Sequence, residues 1–183
     1  MSKPAQCSPE SAPDNPLALG GQLCFSVYSA AHAFTRLYTV LLQDLGLTYT
    51  QYLVLLVLWE EDGLTVKEIG SRLHLDSGTL TPVLRRLENA GYVERRRDET
   101  DRRRIHIHLR ESGHDLQAQV AAARQVVFEA TGLSADELMR LRAELEAVCA
   151  SLDRAVHEHG GDEPSDAPVK LDPGATNASE VAR

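Results

Sequence analysis

Cysteine is scarce in this chain, a positive net charge is missing, and there is no long apolar run. The three cysteines, Cys7, Cys24 and Cys149, are far apart and odd in number. That excludes the paired framework of a disulfide-stapled secreted domain and a clustered zinc site. His106 and His108 share one face of a strand candidate, and His157 and His159 sit at a helix end. Pairs without cysteine or acidic support are weak metal signals, so solvated histidines are expected, with no metal and no cofactor. No stretch approaches the ~18 apolar residues of a membrane span. The opening MSKPAQCSPESAPDNP carries no apolar signal segment, which makes the cytoplasm the expected location. A formal charge of −8 argues against a generally basic nucleic-acid coat.

What is present is enough for one folded domain with tails: 183 residues, 43% of them hydrophobic. Residues 1–15, rich in Pro, Ser, Asn and Asp, read as a disordered leader. Residues 160–183 read as a disordered acidic tail; from His157 to Arg183 there are six acidic residues against two basic ones. Between them lies a mainly α domain, residues 16–159. Leu17–Leu45 is one long helix candidate, with Leu23, Val27, Ala30, Phe34, Leu37, Leu41 and Leu45 at three- and four-residue steps and Gly46 as its stop. Thr50 is placed to cap a second helix, Gln51–Glu61, whose YLVLLVLW run is apolar nearly all round and must be buried on most sides.

The centre of the chain, residues 64–110, has the pattern of a reading head. LTVKEIGSRL puts Val66, Ile69 and Leu73 at helical spacing. HLDSGTLTPVLRRLENAG follows, with Leu80, Val83, Leu84 and Leu87 on one stripe and Gly91 as a stop. Leu75-Asp76-Ser77-Gly78 is the tight connection between them. Tyr92–Arg95 is a strand candidate, Arg96–Arg103 a charged turn, and Ile105–Leu109 alternates as a half-buried strand does. Helix, turn, helix and a two-stranded β wing make a winged helix-turn-helix, a module that reads double-stranded DNA. Arg85 to Arg110 holds nine arginines against five acidic residues, a local +4 in an acidic chain, and it is the local patch that meets phosphates.

The second helix of the pair is expected to start near Ser77–Thr79, with Pro82 in its first turn. Ser77, Gly78, Thr79, Thr81, Pro82, Arg85 and Arg86 then lie where a recognition helix meets a major groove. For Ser77, simple capping competes with DNA contact. In the wing, Arg103, paired with Asp101 across the turn, is the expected phosphate or minor-groove contact. Two further helices follow, Glu111–Ala130 and Ser134–His159, the second opened by Ser134-x-x-Glu137 and striped by Leu138, Leu141, Leu145, Val148 and Leu152. Helices at 16–45 and 112–159 leave apolar surface in excess, so a symmetric homodimer on an inverted-repeat operator is expected.

These elements resemble the MarR family of winged-helix regulators, and within it the organic-hydroperoxide-sensing repressors of the OhrR type. The likeness is carried by Gln22-Leu23-Cys24-Phe25 with Tyr28, by LGLTYTQYLVLLVLWE (45–60), LTVKEIG (64–70) and LDSGTLTPVLRRLENAG (75–91), and by Asp101-Arg102-Arg103. It spans about residues 15–155. It implies a repressor, not an enzyme. Cys24 would be the redox-active thiol, oxidised by an organic hydroperoxide to a sulfenic acid. Tyr38 and Tyr49 of the partner subunit, with Tyr28 in the same chain, would support the thiolate. In such proteins the oxidised thiol is closed by a second cysteine or by a small thiol. Cys149 is a candidate for the resolving role, with a buried core cysteine as the competing reading. Two other functions stay in view. One is a regulator of the same fold released by a small phenolic ligand with Cys24 inert. The other is a thiol peroxidase, against which stand the lack of a Cys-x-x-Cys pair and of any His or Arg near Cys24 in sequence.

Overall fold

The computed structural model describes residues 15–159; residues 1–14 of the leader, with Cys7, and the acidic tail at 160–183 lie outside the described residues. A one-turn 3-10 segment at Leu19–Gly21 leads into α1 (Leu23–Leu41), and a second at Gln43–Leu45 follows it. The single helix expected over 17–45 is thus broken at both ends. Gly46, at φ +63°, turns the chain out of the second short segment, a backbone conformation open to glycine at little cost.

α2 (Tyr49–Glu60) begins two residues earlier than expected. Its cap is Thr48, not Thr50: the Thr48 hydroxyl accepts from the Gln51 amide, and the Gln51 side chain accepts from the Thr48 N–H at 2.8 Å. Only Thr48 stands three residues before a residue that can return the bond. α2 is the centre of the molecule. Tyr52, Val54, Leu55, Val57 and Leu58 are all buried, as its all-round apolar sequence requires.

The head packs below it. A two-residue strand β1 (Leu64–Thr65) precedes α3 (Val66–Leu73), which is closed by His74 in the left-handed region. α4 (Ser77–Asn89), β2 (Val93–Arg97) and β3 (Ile105–Leu109) complete it. The wing is two-stranded as expected, and β1 adds a third strand, giving the antiparallel order β1-β3-β2 with Leu64 opposite Ile107 and Val93 opposite Leu109. The core joins Leu55 and Leu58 of α2 to Ile69, Leu80, Leu84, Leu87, Val93 and Ile107, all essentially sealed from solvent. At about 1.5–3 kcal/mol per buried large aliphatic side chain, this cluster is the main source of stability in the head.

α5 (Glu111–Ala130) leaves the sheet and runs back along α1 and α2, burying Leu116, Val120, Ala123 and Val127 on one stripe. Its start is clamped to the head. The Arg110 N–H donates to the Tyr92 carbonyl at 2.9 Å, the Ser112 hydroxyl donates to the Gly91 carbonyl at 2.7 Å, and the Trp59 indole N–H of α2 donates to the Gly113 carbonyl at 3.0 Å. α6 (Ala135–His159) opens at a reciprocal Ser134–Glu137 cap and buries no residue in its own chain. Among the described residues no helix is long and apolar enough to cross a membrane.

Gly113 carries the clamp. A Cβ there would lie 2.2 Å from the Tyr92 carbonyl oxygen and 3.1 Å from a Leu109 methyl. The carbonyl is backbone and is held by the Arg110 N–H, so it cannot yield cheaply. Gly113→Ala is expected to cost about 2–4 kcal/mol in urea unfolding at fixed protein concentration. A loss below about 0.5 kcal/mol, the range of an ordinary surface change, would show the joint to be loose.

Candidate functional site

Two surfaces carry the chemistry-bearing residues: the outer face of α4 with the wing, and the exposed face of α1 with the tyrosines below it. On α4 the cap is Asp76. Its carboxylate accepts the Thr79 hydroxyl at 2.6 Å and the Thr79 N–H at 3.0 Å, and these bonds hold it below the usual carboxylate range. Ser77 therefore does not cap the helix, and its hydroxyl is left to solvent. Gly78 lets the cap carboxylate fold over the helix start, since a Cβ there would meet it at 2.8 Å. Pro82 is the sixth residue of the helix, not a first-turn residue. Its missing N–H leaves the Gly78 carbonyl without the usual donor, on the exposed side where water can serve it.

Leu80, Leu84 and Leu87 fill the core side of α4. Opposite them, Ser77, Thr81 and Arg85 form one exposed row at four-residue steps, and Gly78, Pro82 and Arg86 lie beside it. Thr79 is turned toward the cap, and the Thr81 hydroxyl donates to the Ser77 carbonyl at 2.6 Å. Both keep lone pairs for an outside donor, but neither is a free donor. The expected contact set is thus gathered on one face, with Thr79 set back from it.

The nine arginines divide into two groups. Arg95 pairs with Glu88 of α4 at 3.1 Å, Arg110 with Glu94 at 3.4 Å, Arg104 with Asp101 at 3.7 Å, and Arg96 also with Glu94. Among the described residues Arg85, Arg86, Arg97, Arg102 and Arg103 have no carboxylate within ion-pair distance. The expected Asp101–Arg103 pair is therefore corrected. Asp101 accepts the backbone N–H of Arg103 at 3.1 Å, and its ion pair is with Arg104. The Asp101 side chain shapes the turn and leaves the Arg103 guanidinium free. The same turn is centred on Asp98, which accepts the Thr100 hydroxyl at 2.5 Å and the Thr100 and Asp101 N–H groups at 2.7 and 2.9 Å. His106 and His108, expected to be solvated, are both engaged: His106 contacts Asp98 at 3.2 Å and His108 contacts Asp62 at 3.1 Å. Among the described residues no group of three or more His, Cys, Asp or Glu side chains could hold a metal ion.

Cys24 is in the first turn of α1 and exposed. Its neighbours Leu23, Phe25, Val27 and Tyr28 are exposed too, Leu23 at 63% and Tyr28 at 59%. The N-cap residue Gln22 makes no side-chain cap bond, so the helix-end N–H groups and their partial positive charge are left for an anion at this end. Tyr28, one turn on, stacks obliquely against His32 with ring centroids 4.3 Å apart. Tyr38 and Tyr49 do not meet Cys24 in this chain. Tyr38 is fourteen residues further along the same helix, about 21 Å up its axis. Instead Tyr38 stacks on Tyr49 at 4.8 Å and on Tyr52 at 5.1 Å. Tyr52 is absent from the sequence-based set because it is hidden within the apolar run of α2. Burial, and then the neighbouring Tyr38, raise the phenols of Tyr49 and Tyr52 above the usual tyrosine value, so both stay protonated donors. Cys149 is exposed in this chain and so is not part of the chain's own core. It shares α6 with exposed Leu141, Leu145, Val148 and Leu152.

The chain has known relatives. The MarR family model matches residues 47–105. TtmR, an HTH-type transcriptional regulator of Methylorubrum extorquens (strain PA1), is 51% identical over 148 residues, 81% of this chain and 74% of that protein. The organic hydroperoxide resistance transcriptional regulator of Bacillus subtilis (strain 168) is 40% identical over 136 residues, 74% of this chain and 92% of that protein. Among solved structures, AbfR of Staphylococcus epidermidis matches with a TM-score of 0.66 at 40% identity, covering 74% of this chain and 94% of its own. AbfR is also known reduced and bound to DNA (TM-score 0.62, 42% identity, covering 73% and 94%) and in a disulfide form (TM-score 0.54, 39% identity, covering 72% and 92%).

The wing turn makes an acid-stability prediction. The Thr100 hydroxyl and the Asp101 and Thr100 N–H groups hold Asp98 far below the usual carboxylate range. A depressed carboxylate contributes stability above its unfolded value, and that contribution is lost as pH falls through its folded one. The melting temperature should therefore drop as pH falls below about 4, the unfolded aspartate value. Asp98→Asn should be less stable at neutral pH and lose less over that interval. Parallel melting curves for the two proteins would remove Asp98 from this role.

Proposed function

The chain belongs to the MarR family of transcriptional regulators, and from that premise we propose that it is a dimeric repressor which senses organic hydroperoxides through Cys24 and then releases its operator. One observation carries the sensing part. Cys24 lies at the open end of α1, exposed among the described residues, and the half-buried Tyr38 of the tyrosine cluster lies about 21 Å away along the same helix. Two such helices set antiparallel across a two-fold axis would bring Cys24 of one protomer to Tyr38 and Tyr49 of its partner. The exposed apolar residues of α1 and α6 support that contact, since surface of this kind is normally covered.

In the proposed reaction the Cys24 thiolate attacks the outer peroxide oxygen. An S–O bond forms, the O–O bond breaks, and the alkoxide leaves with a proton as the alcohol. In the proposed dimer the uncapped helix end and the partner's phenol O–H groups would be placed to donate hydrogen bonds to the sulfur. Apolar neighbours such as Phe25 and Val27 suit an alkyl hydroperoxide better than hydrogen peroxide. The sulfenic acid then condenses with a second thiol, giving a disulfide and water; Cys149 and a small cellular thiol are the two candidates. The Bacillus organic hydroperoxide resistance regulator and the disulfide form of AbfR support this chemistry for the fold.

For DNA, α4 would enter successive major grooves of an inverted repeat, with Arg85 and Arg86 at bases or phosphates and the wing at the flank. The arginines without acidic partners, Arg97, Arg102 and Arg103, are the wing contacts proposed. Arg103→Ala should weaken operator binding and reduce the slope of log affinity against log salt by about one unit. Unchanged affinity across the salt series would remove the wing from the interface.

Sensing is tested at the thiol. Cys24→Ser should bind operator as wild type does and no longer be released by cumene hydroperoxide, while Cys149→Ser should still form a sulfenic acid at Cys24. Release of Cys149→Ser with a small thiol present selects the mixed disulfide; its failure selects the Cys24–Cys149 pair. If Cys24→Ser leaves DNA on peroxide treatment as wild type does, the redox reading fails and a small phenolic ligand becomes the signal to test.

A further inference from the structure

His106 stands between the wing and the body of the head. Its Nδ1 lies 2.7 Å from the Gly63 carbonyl, in the turn between α2 and β1, and its Nε2 lies 3.2 Å from Asp98 Oδ2. Both atoms facing the ring are oxygens that only accept, once Asp98 is ionised. A neutral imidazole carries one N–H and can satisfy one of them; an imidazolium carries two and satisfies both. The Gly63 end is firm. Its N–H donates to the Ile107 carbonyl, and its φ of +76° and close approach to the His108 ring, 2.7 Å from where a Cβ would stand, exclude a side chain. The Asp98 end is the hub of the turn that presents Arg102 and Arg103.

We propose that His106 is a positioning residue for the wing: as an imidazolium it ties the Asp98 turn to the Gly63 carbonyl, and loss of its proton loosens the segment that carries Arg102 and Arg103. The inference rests on the DNA-binding reading above and adds a dependence on pH. The groups around the ring favour the charged form. The Gly63 carbonyl raises the histidine above its ordinary value, followed by Asp98 and by Glu68 of α3. On β3 the neighbouring ring is His108, 6.5 Å away and occupied by Asp62. On β2 the cross-strand residue is Arg96, whose guanidinium is taken by Glu94. On β1 it is the uncharged Thr65. Arg104 of the turn is occupied by Asp101. A raised histidine contributes its bonds below the ordinary value near 6.5 and loses them as pH rises through its folded value. DNA affinity should fall over that upper interval.

The test has two readouts. In the first, nitrogen-detected NMR of the full chain follows the His106 ring and the Thr100 and Arg103 amides from pH 5 to 9. His106 should keep both N–H groups past the ordinary histidine range, and the two amides should shift as it titrates. A neutral His106 at pH 6, or amides that ignore its titration, overturns the proposal. In the second, fluorescence anisotropy measures binding of a 30-base-pair duplex across the same range for wild type and for His106→Gln, whose one amide donor imitates the neutral ring. Wild type should lose about five- to tenfold more affinity than the variant as pH rises, the order of one charge-assisted hydrogen bond partly transmitted to binding. Identical profiles in a variant that melts as wild type does overturn the proposal. If wild type fails to bind DNA at every pH, the DNA-binding reading is wrong, and the NMR titration decides by itself whether the tie exists.

Discussion

Burial of α2 is the constraint on which the rest depends. A twelve-residue helix about 18 Å long with Val54, Leu55 and Leu58 sealed inside has no freedom to tilt without opening the core. Everything of functional interest hangs on its two ends. At its start are Tyr49 and Tyr52, stacked under Tyr38 of α1. At its end is Trp59, bonded to Gly113 where α5 joins the head, and then Asp62 and Gly63, bonded to β3. One rigid rod thus touches the tyrosine cluster, the joint with the long helices, and the root of the wing. Because the interior is close-packed, a shift at one end cannot be absorbed locally.

The parts legible in the sequence were those with a strong period or a stop signal. The stripes of Leu80, Leu84 and Leu87 and of Ile69 and Leu73, the Gly91 stop, and the alternation from Ile105 to Leu109 each report burial directly, and burial decides the elements. What stayed hidden were choices between near neighbours. Thr48 and Thr50 are equally good caps in isolation, and only the bond returned by Gln51 separates them. Asp76 and Ser77 compete in the same way, and the carboxylate wins because it reaches both donors of Thr79. A two-residue strand such as β1 has too short a period to detect. Tyr52 vanishes inside an apolar run, although its stacking joins it to the same cluster as Tyr38 and Tyr49.

Charge shows the same limit. A count of arginines gives the sign of the patch and not its free part. Folding spends Arg95 on holding β2 to α4 through Glu88, and Arg96 and Arg110 on Glu94. These exposed or half-exposed pairs add little stability each, commonly under about 1 kcal/mol. Their effect is on presentation: they fix the strands, while among the described residues Arg97, Arg102 and Arg103 have no carboxylate at ion-pair distance. The acidic total of the chain does not oppose this, because beyond a Debye length of about 8 Å at physiological salt its field is largely screened.

On the proposed reading, the coupling between thiol and DNA has a mechanical form that this fold suits. Two half-sites on one duplex require a single separation between two α4 helices, so a small rotation of each head loses contacts on at least one side. In the proposed dimer a sulfenic acid or disulfide at Cys24 would enlarge the group lying against the tyrosine cluster of the other protomer. That cluster sits on the start of α2, and the far end of α2 is bonded to α5 and to the wing root. Displacement there is passed to the head as a rigid-body movement, since neither the sealed core of α2 nor the Gly113 contact can compress. Lowering operator affinity ~150-fold needs a bias of only about 3 kcal/mol between the two arrangements, within the ordinary range of coupling between sites. In the proposed dimer a single covalent change at Cys24 would be large enough to supply it, because it would put a bulkier group into the space against the partner's phenols and replace hydrogen bonds to the sulfur, which are worth about 1.5–3 kcal/mol each when one partner is charged.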